Sequence, residues 1–181
     1  MKKTSFLLLV LVAAIISANA QQLPPKVNPV IKDFGGIFEI PYADEKPDPS
    51  LTYNIIIEVQ QESDKGDTIN WALNNVARML NIHSMAGVPT SKMNVVLAIH
   101  GGATYAIMNN EAYKAKCKVD NPNLKLIDAL SKAGVKMYVC GQSIVNRKVD
   151  RLKLAPPIKV ASSALTTLTN YQLKGYALLK F

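Results

Sequence analysis

Three short runs constrain this chain more than anything else: YNIIIEVQ at 53–60, NVVLAI at 94–99 and VKMYVC at 135–140. Each is rich in β-branched residues and almost wholly apolar. A strand with no polar side has to be covered on both faces, which is the signature of a parallel sheet packed between helices. The intervening sequence carries helical spacing. Asp67 can cap a helix that lines up Ile69, Ala72, Leu73, Val76, Ala77 and Leu80 on one face, with Gly87 and Pro89 to end it. Asn121 and Pro122 open a second helix bearing Leu124, Ile127 and Leu130, stopped by Gly134. Between them a short helix over 104–108 and a polar loop over 109–120 are expected. A fourth strand around 158–161, a helix over 162–172 and a last strand in 176–181 complete the pattern. Strands alternating with helices predict a three-layer α/β/α sandwich around a mainly parallel sheet of about five strands.

The two ends read differently. Lys2 and Lys3 precede an apolar run from Phe6 to Ile16 and the small residues Ser17-Ala18-Asn19-Ala20. This is the pattern of a cleaved signal peptide over residues 1–20, and it predicts export, with a periplasmic or secreted destination. The run is too short to span a membrane, and no later segment is apolar for long enough. Residues 21–50 hold six of the ten prolines (Pro24, Pro25, Pro29, Pro41, Pro47 and Pro49), which deny this segment a continuous helix or central strand. It reads as an extended arm, with Phe34, Ile37, Phe38 and Ile40 available for burial. Residues 51–181 form the α/β domain.

The formal charge of +8 includes two lysines of the leader, and the remaining basic residues are scattered rather than gathered into a stripe with aromatics. Nucleic acid is therefore excluded as an expected partner, whereas small anions are compatible.

Open α/β folds place ligands outside the carboxyl ends of their strands. His100 closes the second strand and Cys140 the third, so both are expected at one edge, and Cys117 lies in the loop that approaches the same edge. His83, near the end of the first helix, belongs to the other side. Gly101 and Gly102 after His100, and Gly141 and Gln142 after Cys140, offer backbone N–H groups and room for an anionic substrate. A helical turn beginning at Gly141, followed by Arg147, Lys148 and Arg151, favours a thiolate at Cys140. A cysteine ending an apolar strand also serves as packing, and the residues alone leave both roles open. No Walker A loop, G-x-S-x-G elbow or Cys-x-x-Cys pair occurs, and His100, Cys117 and Cys140 lack zinc-site spacing. No cofactor or metal is expected.

The segments LAIHGG (97–102), NPNLKLIDALSKAGVKMYVCGQS (121–143), IKVASSALTTL (158–168) and GYALL (175–179) together resemble the DsrE/DsrF-like family, in particular its YchN-like and exported branches. The resemblance implies a parallel α/β/α sandwich that assembles as a trimer or hexamer. It also implies sulfur handling, since several members carry a persulfide on a cysteine, with Cys140 at the position of the cysteine common in this branch and His100 at that of its strand-end histidine. Small anionic sulfur species or a sulfur-donor protein would then be the partners. Two other roles compete: a Cys117–Cys140 thiol–disulfide couple, and a non-enzymatic oligomeric binding or scaffold protein.

Overall fold

A computed structural model describes residues 23–181; the expected signal peptide lies outside the described residues. Five strands, β1 (Tyr53–Val59), β2 (Met93–Ile99), β3 (Lys136–Cys140), β4 (Ile158–Ala161) and β5 (Ala177–Lys180), form one sheet in the order β4-β3-β2-β1-β5. Every pairing is parallel. Helices α1 (Trp71–Met85), α2 (Asn110–Cys117), α3 (Leu124–Lys132), α4 (Gly141–Asn146) and α5 (Ala164–Leu173) connect them.

The strand order explains the layers. From β1 to β4 each connection steps one strand in the same direction, so crossovers of constant hand leave all their helices on one face. The connection from β4 to β5 returns across the whole sheet, and the same hand puts α5 on the other face. The side chains divide accordingly. Ile55, Ile57, Val59, Val95, Leu97, Ile99, Met137 and Val139 pack with Leu73, Val76 and Leu80 of α1 and Leu126, Ile127 and Leu130 of α3. Ile56, Val96, Ala98 and Cys140 point the other way, toward Ala164, Leu168 and Tyr171 of α5. The alternation of odd and even residues between two covered faces is what the unbroken apolar runs encode.

Four local expectations are corrected. The cap of α1 is Asn70 rather than Asp67; its side chain accepts from the Leu73 N–H at 3.1 Å while its own N–H donates to Asn123 at 2.7 Å. The expected polar loop over 109–120 contains helix α2. Asn109 caps it by accepting from Ala112 N–H, and Lys118 ends it in a left-handed conformation at φ 66°. The expected helix over 104–108 is instead a 3-10 turn over Gly101–Thr104. Asn121 does not cap α3 directly. Its buried amide donates to the carbonyls of Ala106 and Met108 and its oxygen accepts from Asn123, so Asn70, Asn121 and Asn123 tie the edge loops into one satisfied polar network.

Residues 23–52 run irregularly, with one antiparallel bridge between Val27 and Ile37. One buried side chain organises them. Asn81 of α1 accepts from the N–H groups of Val30 and Ile31 and donates to the carbonyls of Phe34 and Gly35, all between 2.9 and 3.1 Å. Gly35, at φ +61°, presses so close that a Cβ there would lie 2.2 Å from the Arg78 nitrogen. Ile31 and Ile37 are buried, Phe34 and Phe38 half-buried, and Ile40 exposed. Because Asn81 satisfies four arm groups at once, Asn81→Ala is expected to cost at least about 2 kcal/mol in urea unfolding, the scale of buried polar groups left without partners. Limited proteolysis of that variant should cut within 28–41 before the α/β domain is attacked.

Candidate functional site

Cys140 ends β3 at the place where the helix layers diverge. Helix α4, which follows β3, packs on the α1 side through Ile144, and α5, which follows the neighbouring β4, packs on the opposite side. A crevice between adjacent strands whose helices leave to opposite faces is where open α/β sheets bind ligands. Here the crevice is narrow, because Gly141 lets the 161–162 backbone come close: a Cβ at Gly141 would sit 2.8 Å from the Ala161 carbonyl oxygen.

The sulfur lies between the starts of both helices. Burial alone would push the Cys140 thiol up, but N–H groups of Ala164 from α5 and of Ser143 and Gln142 from α4, with the Ser143 hydroxyl, hold it below the ordinary thiol value. A thiolate so placed is favoured by hydrogen bonds to the charged form. Only 5% of the residue is exposed.

The register sets its neighbours. The β2–β3 ladder closes with Ile99 opposite Val139, so His100 and Cys140 are the residues that follow its last pair, at one edge of the sheet. Both belong to the α5 face, as Ala98 and Tyr138 do. The imidazole is turned the other way. Its Nε2 lies 2.9 Å from Oε1 of Glu58 in β1, and Oε2 of the same carboxylate takes Lys180 of β5 at 3.3 Å. Burial would raise the Glu58 carboxyl, but these two donors hold it below the usual range. A carboxylate only accepts, so Nε2 carries the hydrogen. Lys180, Glu58, His100 and Cys140 thus form a polar row across four adjacent strands.

Glu58 is the residue the sequence reading missed. Its signal was present: it is the one charged side chain inside YNIIIEVQ, in a strand that has no solvent-facing side.

The other candidates fall in different places. Gly101, at φ +56°, and Gly102 have a packing reason, since a Cβ on either would press within 2.9 Å of Gln60 or Glu62. The Gly101 N–H donates to Ser143 Oγ at 3.3 Å. Gln142 is exposed, with its amide reaching the Ser162 carbonyl at 3.4 Å. Cys117 ends α2 beside Gly66 and Tyr113, in a cleft of about 140 Å³ shared with Glu62, Ser63 and Tyr105. Burial and the neighbouring Cys117 push the Tyr113 hydroxyl up to about 12. Both cysteines are free thiols, and no residue of the Cys117 cleft is among those bonding the Cys140 sulfur. His83 packs edge-on against Tyr53 at 4.5 Å, at the edge where β1 begins. No group of three or more His, Cys, Asp and Glu side chains among the described residues has the arrangement of a metal site.

The frame is thus an all-parallel α/β/α sandwich with a buried thiol at the point where its helix layers diverge. Residues 53–181 match the DsrE/DsrF-like family, and the chain belongs to it. Among solved structures it is similar to a protein of unknown function, MTH1491, from Methanobacterium thermoautotrophicum, with 14% identity and a TM-score of 0.52 over 71% of this chain and 99% of that one. It is also similar to the ychN protein from E. coli, with 13% identity and a TM-score of 0.51 over the same shares. These likenesses concern the fold. No curated protein matches the chain.

The thiolate should be directly measurable. Absorbance at 240 nm against pH is expected to give a Cys140 midpoint below that of an unstructured cysteine peptide, and Ser143→Ala should raise it. Because the folded thiol titrates lower than the unfolded one, its contribution to stability is present above the unfolded value and is lost as pH falls through the folded one.

Proposed function

We propose that this chain is an exported sulfur-handling protein that carries a sulfane sulfur on Cys140. One observation carries the reading: Cys140 ends its strand at the switch point of the sheet, directly before α4 and packed in one cluster with Ala164, the first residue of α5. Membership of the DsrE/DsrF-like family supports it. A lowered thiol gives up its proton more readily than a free cysteine, and backbone donors at the helix starts suit the negative charge of a bound persulfide. In the reaction the Cys140 thiolate attacks the terminal sulfur of a donor R–S–SH. A new S–S bond forms, the donor's S–S bond breaks, and R–S⁻ leaves. Small anionic sulfur species or a sulfur-donor protein would supply the substrate. His100 assists by proton transfer or by stabilising charge.

Assembly into a homo-oligomer belongs to the same proposal. The α5 face is covered by a single helix, and Val160, Leu165, Leu173 and Leu178 remain exposed. The signal-peptide pattern in the first twenty residues supports export to the periplasm or the exterior.

The burial of Cys140 favours a second reading, a non-enzymatic binding or scaffold protein. Of five clefts between about 140 and 630 Å³ on the described surface, none is lined by Cys140 or His100. Intact-mass measurement separates the two. After exposure to polysulfide the wild-type chain is expected to gain sulfur that a reductant removes, and Cys140→Ser to gain none at that position. Equal uptake by Cys140→Ser, or no uptake by wild type, would leave the scaffold reading standing.

A further inference from the structure

The polar row on the α5 face divides the chemistry between two residues. A base that deprotonates Cys140 would be hydrogen-bonded to its sulfur. No hydrogen bond among the described residues joins the Cys140 sulfur to His100; the imidazole, at the end of the neighbouring strand, is bonded to Glu58 at 2.9 Å, and the groups that lower the thiol belong to Ala164, Ser143 and Gln142. The thiol already has the donors that stabilise its charge, so its activation leaves the imidazole free for another task.

That imidazole is held with care. Among the described residues its Nε2 has the Glu58 carboxylate and its Nδ1 makes no hydrogen bond. Glu58 is itself fixed from two sides, by His100 on β2 and by Lys180 on β5, and the side chains of His100 and Glu58 are only 20% and 16% exposed. A carboxylate at that distance fixes the orientation of the ring, as second partners of catalytic histidines do. In the doubly protonated ring the Nδ1 hydrogen is the one left without an acceptor, and Cys140 ends the neighbouring strand at the same sheet edge.

Resting on the sulfur-transfer reading of Cys140, we infer that His100 is the acid that protonates the departing thiolate of the sulfur donor, and that Glu58, clamped by Lys180, is its positioning residue. The step balances. The Cys140 thiolate takes the terminal sulfur of R–S–SH, the donor's S–S bond breaks with its electron pair going to R–S⁻, and His100 delivers a proton to give R–SH. Solvent then reprotonates the partly exposed ring. No oxidant or reductant is consumed.

Two reagents separate this role from its rivals. Iodoacetamide alkylates Cys140 with loss of iodide, which needs no proton, whereas glutathione hydropersulfide releases an alkyl thiolate that does. Peptide-level mass spectrometry resolves Cys140 from Cys117 in both reactions. With His100→Gln the rate of sulfur uptake from glutathione hydropersulfide is expected to fall about 100-fold, the lower range for loss of a general acid. Glu58→Gln should lower it about tenfold, because the amide no longer fixes the ring as the carboxylate does. Alkylation of both variants should stay within about twofold of wild type. Lys180→Met, which leaves the imidazole and carboxylate in place, tests the clamp should Glu58→Gln fold poorly, with a smaller loss in uptake alone.

A parallel fall in alkylation would overturn the inference, because His100 would then act on the thiol itself. Unchanged uptake in His100→Gln would overturn it too. A wild-type chain that is alkylated at Cys140 yet takes no sulfur would instead refute the underlying transfer reading, and the acid role with it.

Discussion

The return of the chain across the sheet, from β4 at one edge to β5 at the other, is the constraint on which the rest depends. It forces α5 onto a face that the other helices leave bare. Without that reversal α4 and α5 would lie side by side on one face, and Cys140 would not stand where the two helix layers part. The setting of Cys140 is therefore a product of topology. It requires no charged side chain next to the sulfur, which suits a buried position where an unpaired charge would be costly.

The same reversal explains why the polar row is tolerated. Ile56, Val96 and Ala98 seal the α5 face under the middle of the helix. Nearer the carboxyl ends of the strands the covering thins, and Glu58, His100 and Lys180 occupy that margin with their charges matched to one another. Glycine governs the crevice itself. At Gly141 a methyl group would collide with main-chain oxygen rather than with a movable side chain, so the separation of β3 from the 161–162 segment is fixed by backbone.

Much of this was legible in the sequence because period and covering go together. The unbroken apolar runs around Ile56, Val96 and Val139 can only be doubly buried strands, and strands joined by helices can only be parallel. That reasoning also placed His100 and Cys140 at one edge. It failed where the decisive interaction is long-range. Asn70, rather than Asp67, starts α1 because Asn123, far along the chain, takes its N–H. Helix α2 is short and polar, with Tyr113 as its single buried side chain, so it has no apolar stripe to announce it. Glu58 escaped because a carboxylate within an apolar strand acquires meaning only from its partners, His100 and Lys180, which lie on two other strands. The arm's dependence on Asn81 was hidden for the same reason.

The ladder of paired residues also supplies a coordinate system. In a parallel sheet a position counted from the last pair of one strand has a defined neighbour at the same count on the next. Glu58, His100 and Cys140 keep such counts from the closing pairs of their ladders. At identities of 13 and 14% residue similarity is a poor guide to equivalence between chains. Strand-end counting is indifferent to it, and turns one thiol, one imidazole and one carboxylate into landmarks by which distant members of this fold can be overlaid and told apart.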